Sequence, residues 1–352
     1  MRFGGPFMSR SPYLLAATFL GAAVLAQPAA AQAFTTATFA GTTIWVGGGV
    51  QFLSLPDIRF TSKGGHRQKN TESDWLDFGG ATGGGLETAL GYWGGYRVTG
   101  SVKGFWANVE DDRNTGCKGG AAGCVVIDPT GTFVGAGRKL YTKTNREADY
   151  WGGQAELKFA TGAPQEVKPQ IYRNDYFIAG FDVRGIDQDN RLRSSTGTTF
   201  NYNETLDTTY VGGYIGLGGE YSFGFIPGIK NVGGLYDRLG LRTFINATAG
   251  LYNAETDYTG QFASGVFGSR LSKSSDDLAF IGTVSLETRK QLGTRTSLSL
   301  WSDYEYISSV PKMQYAGPGG TTRIDDEAVF ATRTMLRLNI GLGSQQLYPD
   351  QY

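Results

Sequence analysis

The sequence predicts an all-β chain: an antiparallel transmembrane β-barrel of about ten strands, with long extracellular loops and short periplasmic turns. Three observations lead there. A secretory signal opens the chain, alternation with period two recurs along the rest, and one face of every alternating segment is free of charge between the segment's ends. Composition removes the competing classes. The 352 residues hold 32 Lys+Arg against 32 Asp+Glu, so the basic excess of a nucleic-acid-binding protein is missing. A mean hydropathy of −0.25 does not fit a helical membrane protein. The 40% apolar and 13% aromatic content is too high for a disordered chain. Glycine, at 53 residues, is roughly double its usual share.

Residues 1–33 read as a signal peptide. Arg2 and Arg10 precede the apolar stretch from Tyr13 to Ala26, which is too short to span a bilayer, and the segment closes on Ala31-Gln32-Ala33. Cleavage after Ala33 leaves 352 − 33 = 319 residues, 34–352, as a single barrel domain.

Ten alternating segments follow, near 42–54, 82–93, 95–109, 149–160, 174–187, 206–222, 238–254, 277–290, 295–309 and 327–342. Their uncharged faces carry Ile44, Val46, Val50 and Phe52; Leu86, Leu90 and Tyr92; Tyr96, Val98, Val102 and Trp106; Trp151, Ala155, Leu157 and Phe159; and Phe177, Ala179, Phe181 and Val183. The second half continues with Val211, Ile215, Leu217 and Tyr221; Leu239, Leu241, Ile245, Ala247 and Leu251; Leu278, Phe280, Val284 and Leu286; Leu298, Leu300, Tyr304 and Tyr306; and Phe330, Leu336, Leu338 and Ile340. A charge facing lipid at mid-membrane costs on the order of 2–4 kcal/mol, so these faces are expected outside and the charged faces inside. Twelve to seventeen residues per segment suit a tilted membrane span, and aromatics gather at the segment ends as in an interfacial girdle (Tyr92, Trp93 and Tyr96 at one end, Trp106, Trp151 and Tyr210 at the other). The eight prolines after the signal all fall in expected connections. Long connections at 55–81, 110–148, 188–205, 255–276 and 310–326 alternate with shorter ones, as in outer-membrane barrels with both termini in the periplasm. Twelve strands is the competing count, with Thr132 to Thr142 as an extra hairpin arm.

The Gly-rich strands WVGGGVQF and YVGGYIGLGGEYSFG, with the closing strand MLRLNIGLG, resemble bacterial outer-membrane β-barrels of the porin-like group, the Legionella-type pore-forming family or its relatives. The resemblance implies insertion by the barrel-assembly machinery and contact with outer-membrane lipids and lipopolysaccharide, and it leaves both a monomer and a homo-oligomer open. One departure stands out. Such barrels end on an aromatic residue of the last strand, whereas here Tyr348 and Tyr352 lie in a polar tail around Pro349.

The inward face carries balanced charge: Glu87, Arg97, Lys103, Glu156, Lys158, Asp182, Arg184, Glu220, Arg242, Glu287, Arg289, Asp303, Glu305, Arg333 and Arg337. Around a wide pore such residues form a polar lining for small solutes or ions, and that passive channel is the expected function. In a narrow barrel they pair and fill the interior, leaving a closed structural or adhesive barrel that presents its loops. Cys117 and Cys124, an even pair in an exported chain, are expected to form a disulfide at the tip of the longest loop. No catalytic residue, metal ligand or cofactor is expected. The single histidine, His66, lies in a basic loop away from the strand ends where an omptin-like protease, or a barrel hydrolase with a Ser–His pair, would need one. Acidic clusters at Glu110–Asp112, Asp187–Asp189, Asp276–Asp277 and Asp325–Glu327 are expected at the outer rim, hydrated or bridged by divalent cations to lipopolysaccharide.

Overall fold

The computed structural model describes residues 41–342 except 58–60, 64–65, 69–77, 119–123, 136–138, 161–164, 169–170, 197–198, 223–240, 266 and 315–321. The signal segment, Leu239 and the tail with Tyr348 and Tyr352 lie outside the described residues. Ten long strands form the wall: β1 (Thr42–Leu53), β2 (Phe78–Trp93), β3 (Tyr96–Lys118), β4 (Lys139–Ala160), β5 (Ile171–Thr196), β6 (Asn201–Ser222), β7 (Leu241–Ser264), β8 (Phe267–Gln291), β9 (Thr296–Gln314) and β10 (Arg323–Leu342). Each pairs antiparallel with its neighbour in sequence, and β1 pairs with β10, so the sheet closes into a ring. Residues 132–142 contribute to the short strand Phe133–Gly135 and to the start of β4, and the wall has ten strands.

The registers fix the stagger of the ring. From Gln51, one route runs through Gly79, Val109, Ala148, Gln188, Leu206 and Tyr258 to Lys273. The other runs through Arg333 and Asp303 to Ser285. They reach β8 at positions 285 − 273 = 12 residues apart. A stagger of that size in ten strands corresponds to a tilt of about 40°.

The wall is taller than the sequence suggests. Segments expected as loops at 188–205 and 255–276 are mostly strand, and β5 reaches 26 residues. At ~3.3 Å per residue and a tilt of about 40°, β5 rises roughly 65 Å, more than two and a half times the ~25 Å apolar band of a membrane barrel. We call the end with Thr42, Leu342 and the Gly94-Gly95 turn the lower end, and the end with Cys117 the upper end. Through the lower half, the outward positions are the expected apolar ones: Ile215 is 72% exposed, Leu278 66% and Leu217 60%.

Three local departures have physical causes. In β2 the register slips between Ala89 and Gly91, where Gly91 has φ +105°, a bulge conformation that a side chain resists. The slip inverts the facing of the last residues, so Tyr92 opposes inward Arg97 and Trp93 opposes outward Tyr96, the reverse of the sequence expectation for Tyr92. Gly94 and Gly95, both with positive φ, then make the two-residue turn into β3. Second, the β8–β9 ladder ends at Ile281–Ile307 although both strands continue upward. Above it, side chains satisfy the edge: the Phe280 amide donates to Ser308 Oγ at 2.8 Å and the Leu278 amide to Asp277 Oδ1 at 2.7 Å. Third, Pro311 lies within β9 and not in a connection. It is tolerated just past a bulge between Ile307 and Val310, where one side of the strand is unpaired.

Candidate functional site

The lumen is the candidate site, and it is layered. Register alternation turns all fifteen charged residues named above inward. All except Arg97 have an oppositely charged partner within 4.0 Å among the described residues. In the lower layer, Lys158 bridges Glu87 (2.8 Å) and Glu156 (3.7 Å), and Lys103 approaches Glu156 at 3.5 Å. Arg242 pairs with Glu220 at 2.8 Å and Arg289 with Glu287 at 2.7 Å. Several of these groups remain partly exposed, so water reaches this layer from below.

The middle layer is dry. Arg184 contacts Asp182 through Nε and Glu305 through Nη1, the latter at 2.7 Å, and all three side chains are at most 3% exposed. Tyr150 Oη donates to the other Glu305 oxygen at 2.7 Å. Tyr150 stands on β4 and Glu305 on β9, five strands apart in a ring of ten, so this bond crosses the full width of the barrel. Arg333 adds a 2.8 Å bond to Asp303, and Tyr252 donates to Asp182 at 3.2 Å. Arg333 and Arg337 also sandwich the Trp301 ring, with guanidinium carbons 5.1 and 3.5 Å from its centroid. Phe105 lies 3.5 Å beyond Arg333 and Trp45 lies 4.0 Å beyond Arg337. Small residues opposite make the room: a Cβ on Gly152 would stand 2.6 Å from the Phe105 ring, and one on Gly180 would stand 2.4 Å from that of Tyr214.

Above this network the interior becomes apolar. Leu53, Leu55, Ile186, Tyr210, Ile281, Ile307 and Val310 are buried together. Backbone carbonyls turned into the lumen are met by side chains: Tyr210 donates to Ser309 O (2.8 Å), Gln188 to Pro311 O (3.3 Å) and Arg146 to Pro56 O (2.6 Å). A cavity of about 10 Å³ lies beside Arg146, Asn190 and Glu204, room for a single water. The top layer packs Leu140, Leu192, Tyr202, Leu206, Tyr258 and Phe262 around the short strand Cys124–Ile127. The loop carrying that strand is therefore folded against the inner wall. The expected Cys117–Cys124 disulfide is present and buried, and the adjoining turn is tied by Asp128 Oδ1, which accepts the amides of Thr130 (3.0 Å) and Thr132 (2.7 Å).

Outside, just above Trp106 and Trp151, an acidic row crosses the wall. Asp149, Asp187, Asp207 and Asp257 are direct neighbours on β4, β5, β6 and β7. Of this row the sequence singled out Asp187 alone; the others become visible only once register places them side by side. Trp151 Nε1 donates to Asp187 Oδ2 at 3.1 Å, its ring lying over Gly185. Partial burial, with the carboxylates of Asp207, Asp149 and Asp189, pushes Asp187 up to about 6 against the effect of that bond. Burial and acidic neighbours also raise Asp189 and Asp207, whereas hydrogen bonds from Asn145 and Lys143 lower Asp112 on β3. Among the described residues no three His, Cys, Asp or Glu side chains converge as metal ligands. The backbone of His66 lies in the short strand His66–Gln68, paired with Thr61–Lys63.

The sequence missed the tyrosines that complete the lumen, Tyr150, Tyr214 and Tyr252. Each occupies an inward position by alternation, which was the available signal.

No family model and no curated protein matches the chain. Solved structures with a similar course of chain include the outer-membrane protease OmpT from Escherichia coli (9% identity, 88% of this chain and 99% of that one, TM-score 0.41). Others are the translocator domain of the autotransporter NalP from Neisseria meningitidis (10%, 94% and 96%, 0.35) and a FadL homologue from Pseudomonas aeruginosa (7%, 86% and 90%, 0.25).

Proposed function

We propose that this protein is a bacterial outer-membrane barrel of the broad porin-like group whose lumen is closed, and that it acts through its raised outer wall and loops. The observation that carries this reading is the Tyr150–Glu305–Arg184 network spanning the barrel from wall to wall beneath an apolar layer. Hydrated ions have no path through buried Leu53, Ile281 and Ile307. Outer-membrane lipids and lipopolysaccharide are its surroundings, the barrel-assembly machinery inserts it, and it turns over no substrate. The passive-channel reading draws support only from the lower layer, where ion pairs such as Arg242–Glu220 are reached by water.

Planar-bilayer recording of the purified, folded protein decides between the two. The closed reading expects no stepwise current. Regular single-channel steps would remove it and leave the channel.

A further inference from the structure

At the lower end of the lipid-facing surface, the wall is not smoothly convex. Trp93, Gly94, Tyr96, Phe159 and Phe177 line an open cleft of about 360 Å³. Its walls come from β2, β3, β4 and β5, which are consecutive in the ring. Trp93 and Phe159 stand 6.1 Å apart, ring centre to ring centre, and inclined by 45°. Trp93 is 68% exposed and Phe177 is 52% exposed.

The β2 bulge builds this shape. Without the slip at Leu90-Gly91, Tyr92 would face outward and Trp93 would turn toward the lumen. With it, the indole leans across β3 to meet Phe159 of β4, leaving a hollow between that pair and Phe177.

We propose that this cleft is a binding site for one acyl chain of a phospholipid, held apart from the freely exchanging lipid around the barrel. The lining offers aromatic and glycine surface only, with no charged side chain, which suits a hydrocarbon chain and not a headgroup. The cleft is continuous with the uncharged outer surface of Leu157, Phe181 and Leu217, so lipid is what this surface meets. A concave apolar wall contacts a chain on several sides where a convex barrel contacts it on one, and dispersion contacts add accordingly. The proposal rests on the outer-membrane reading.

Brominated-lipid quenching tests both separately. The full protein is reconstituted in vesicles that mix dioleoylphosphatidylcholine with its dibrominated analogue. The Trp93 signal is isolated as wild type minus Trp93→Phe, and the Trp106 signal as wild type minus Trp106→Phe. A single held chain makes Trp93 emission fall with the first power of the unbrominated fraction. Trp106, on the open wall, falls with a higher power because several neighbours must all be unbrominated. Phe177→Ala, which opens the cleft, is expected to shift Trp93 toward the Trp106 curve. Identical curves for both residues in the wild type overturn the site. Quenching of Trp106 with none of Trp93 also overturns it, because protein from a second copy then covers the cleft. Quenching of neither overturns the membrane reading itself.

Discussion

Below the Trp106–Trp151 row the barrel is built inside out, and above it the right way round. On β6, outward Ile215 and Leu217 are 72% and 60% exposed while inward Glu220 pairs with Arg242. Ten residues up the same strand the outward positions are Thr205 and Asp207, and the inward ones are buried Leu206 and Tyr202. The period never changes; the medium outside does. On the outer-membrane reading, a side chain is sorted by what the outside offers, hydrocarbon below and water above, and the lumen receives whatever that medium rejects. Hence the lower lumen must neutralise charge by pairing, while the upper lumen packs like the core of a soluble protein.

The largest test of this contrast lies in the lower interior. Arg184→Ala would strand Asp182 and Glu305, both nearly fully buried, without their shared cation. A loss of about 3–5 kcal/mol is expected, read as a lower urea midpoint for unfolding in lipid vesicles. Joint replacement of Arg184, Asp182 and Glu305 by apolar residues of similar volume should recover most of it. If the single change is as harmless as the triple, the network is not holding the lumen.

The second test moves one charge along one strand. Ile215→Arg on the lower outside should cost roughly 2–4 kcal/mol in vesicles, whereas Thr205→Arg, opposite Asp189 on the upper outside, should cost less than about 0.5 kcal/mol. Equal costs would mean that the apolar band does not meet lipid.

That contrast also explains how much could be read before the structure. In the lower half, alternation of apolar against charged residues located all ten strands and the lumen-facing set, because hydrocarbon imposes a sharp rule on every second residue. The upper half obeys the same period with opposite phase. On β7, Glu255, Asp257 and Thr259 alternate with inward Ala254, Tyr258 and Phe262, and polar outward residues with few aliphatics pass for a loop. A filled lumen was legible only as the alternative to a channel, since the bonds that cross it depend on partners five strands apart such as Tyr150 and Glu305. The Tyr92–Trp93 inversion was hidden because one extra residue in a glycine-rich strand leaves no mark on composition.

The smallest effect is expected where the two halves differ most plainly in charge. Inside, each of the paired acids has a base; outside, Asp149, Asp187, Asp207 and Asp257 face one another in a row, and like charges directly opposed across strands destabilise. Asp187 has its folded-state value raised to about 6, against about 3.9 for an unfolded aspartate. The folded protein therefore binds this proton more tightly, so the resulting stabilisation is complete below about pH 4 and disappears as the pH rises through 6. Asp187→Asn removes the repulsion at every pH. At pH 7 it should raise stability by no more than about 1 kcal/mol, because the site is partly solvated and screened. It should also flatten the wild-type gain in stability between pH 6 and 4, but only in part, because Asp189 and Asp207 are raised by the same crowding and remain. Urea midpoints across that window measure both effects. A variant less stable than wild type at pH 7 would show that the Trp151 hydrogen bond to Asp187 outweighs the repulsion along the row.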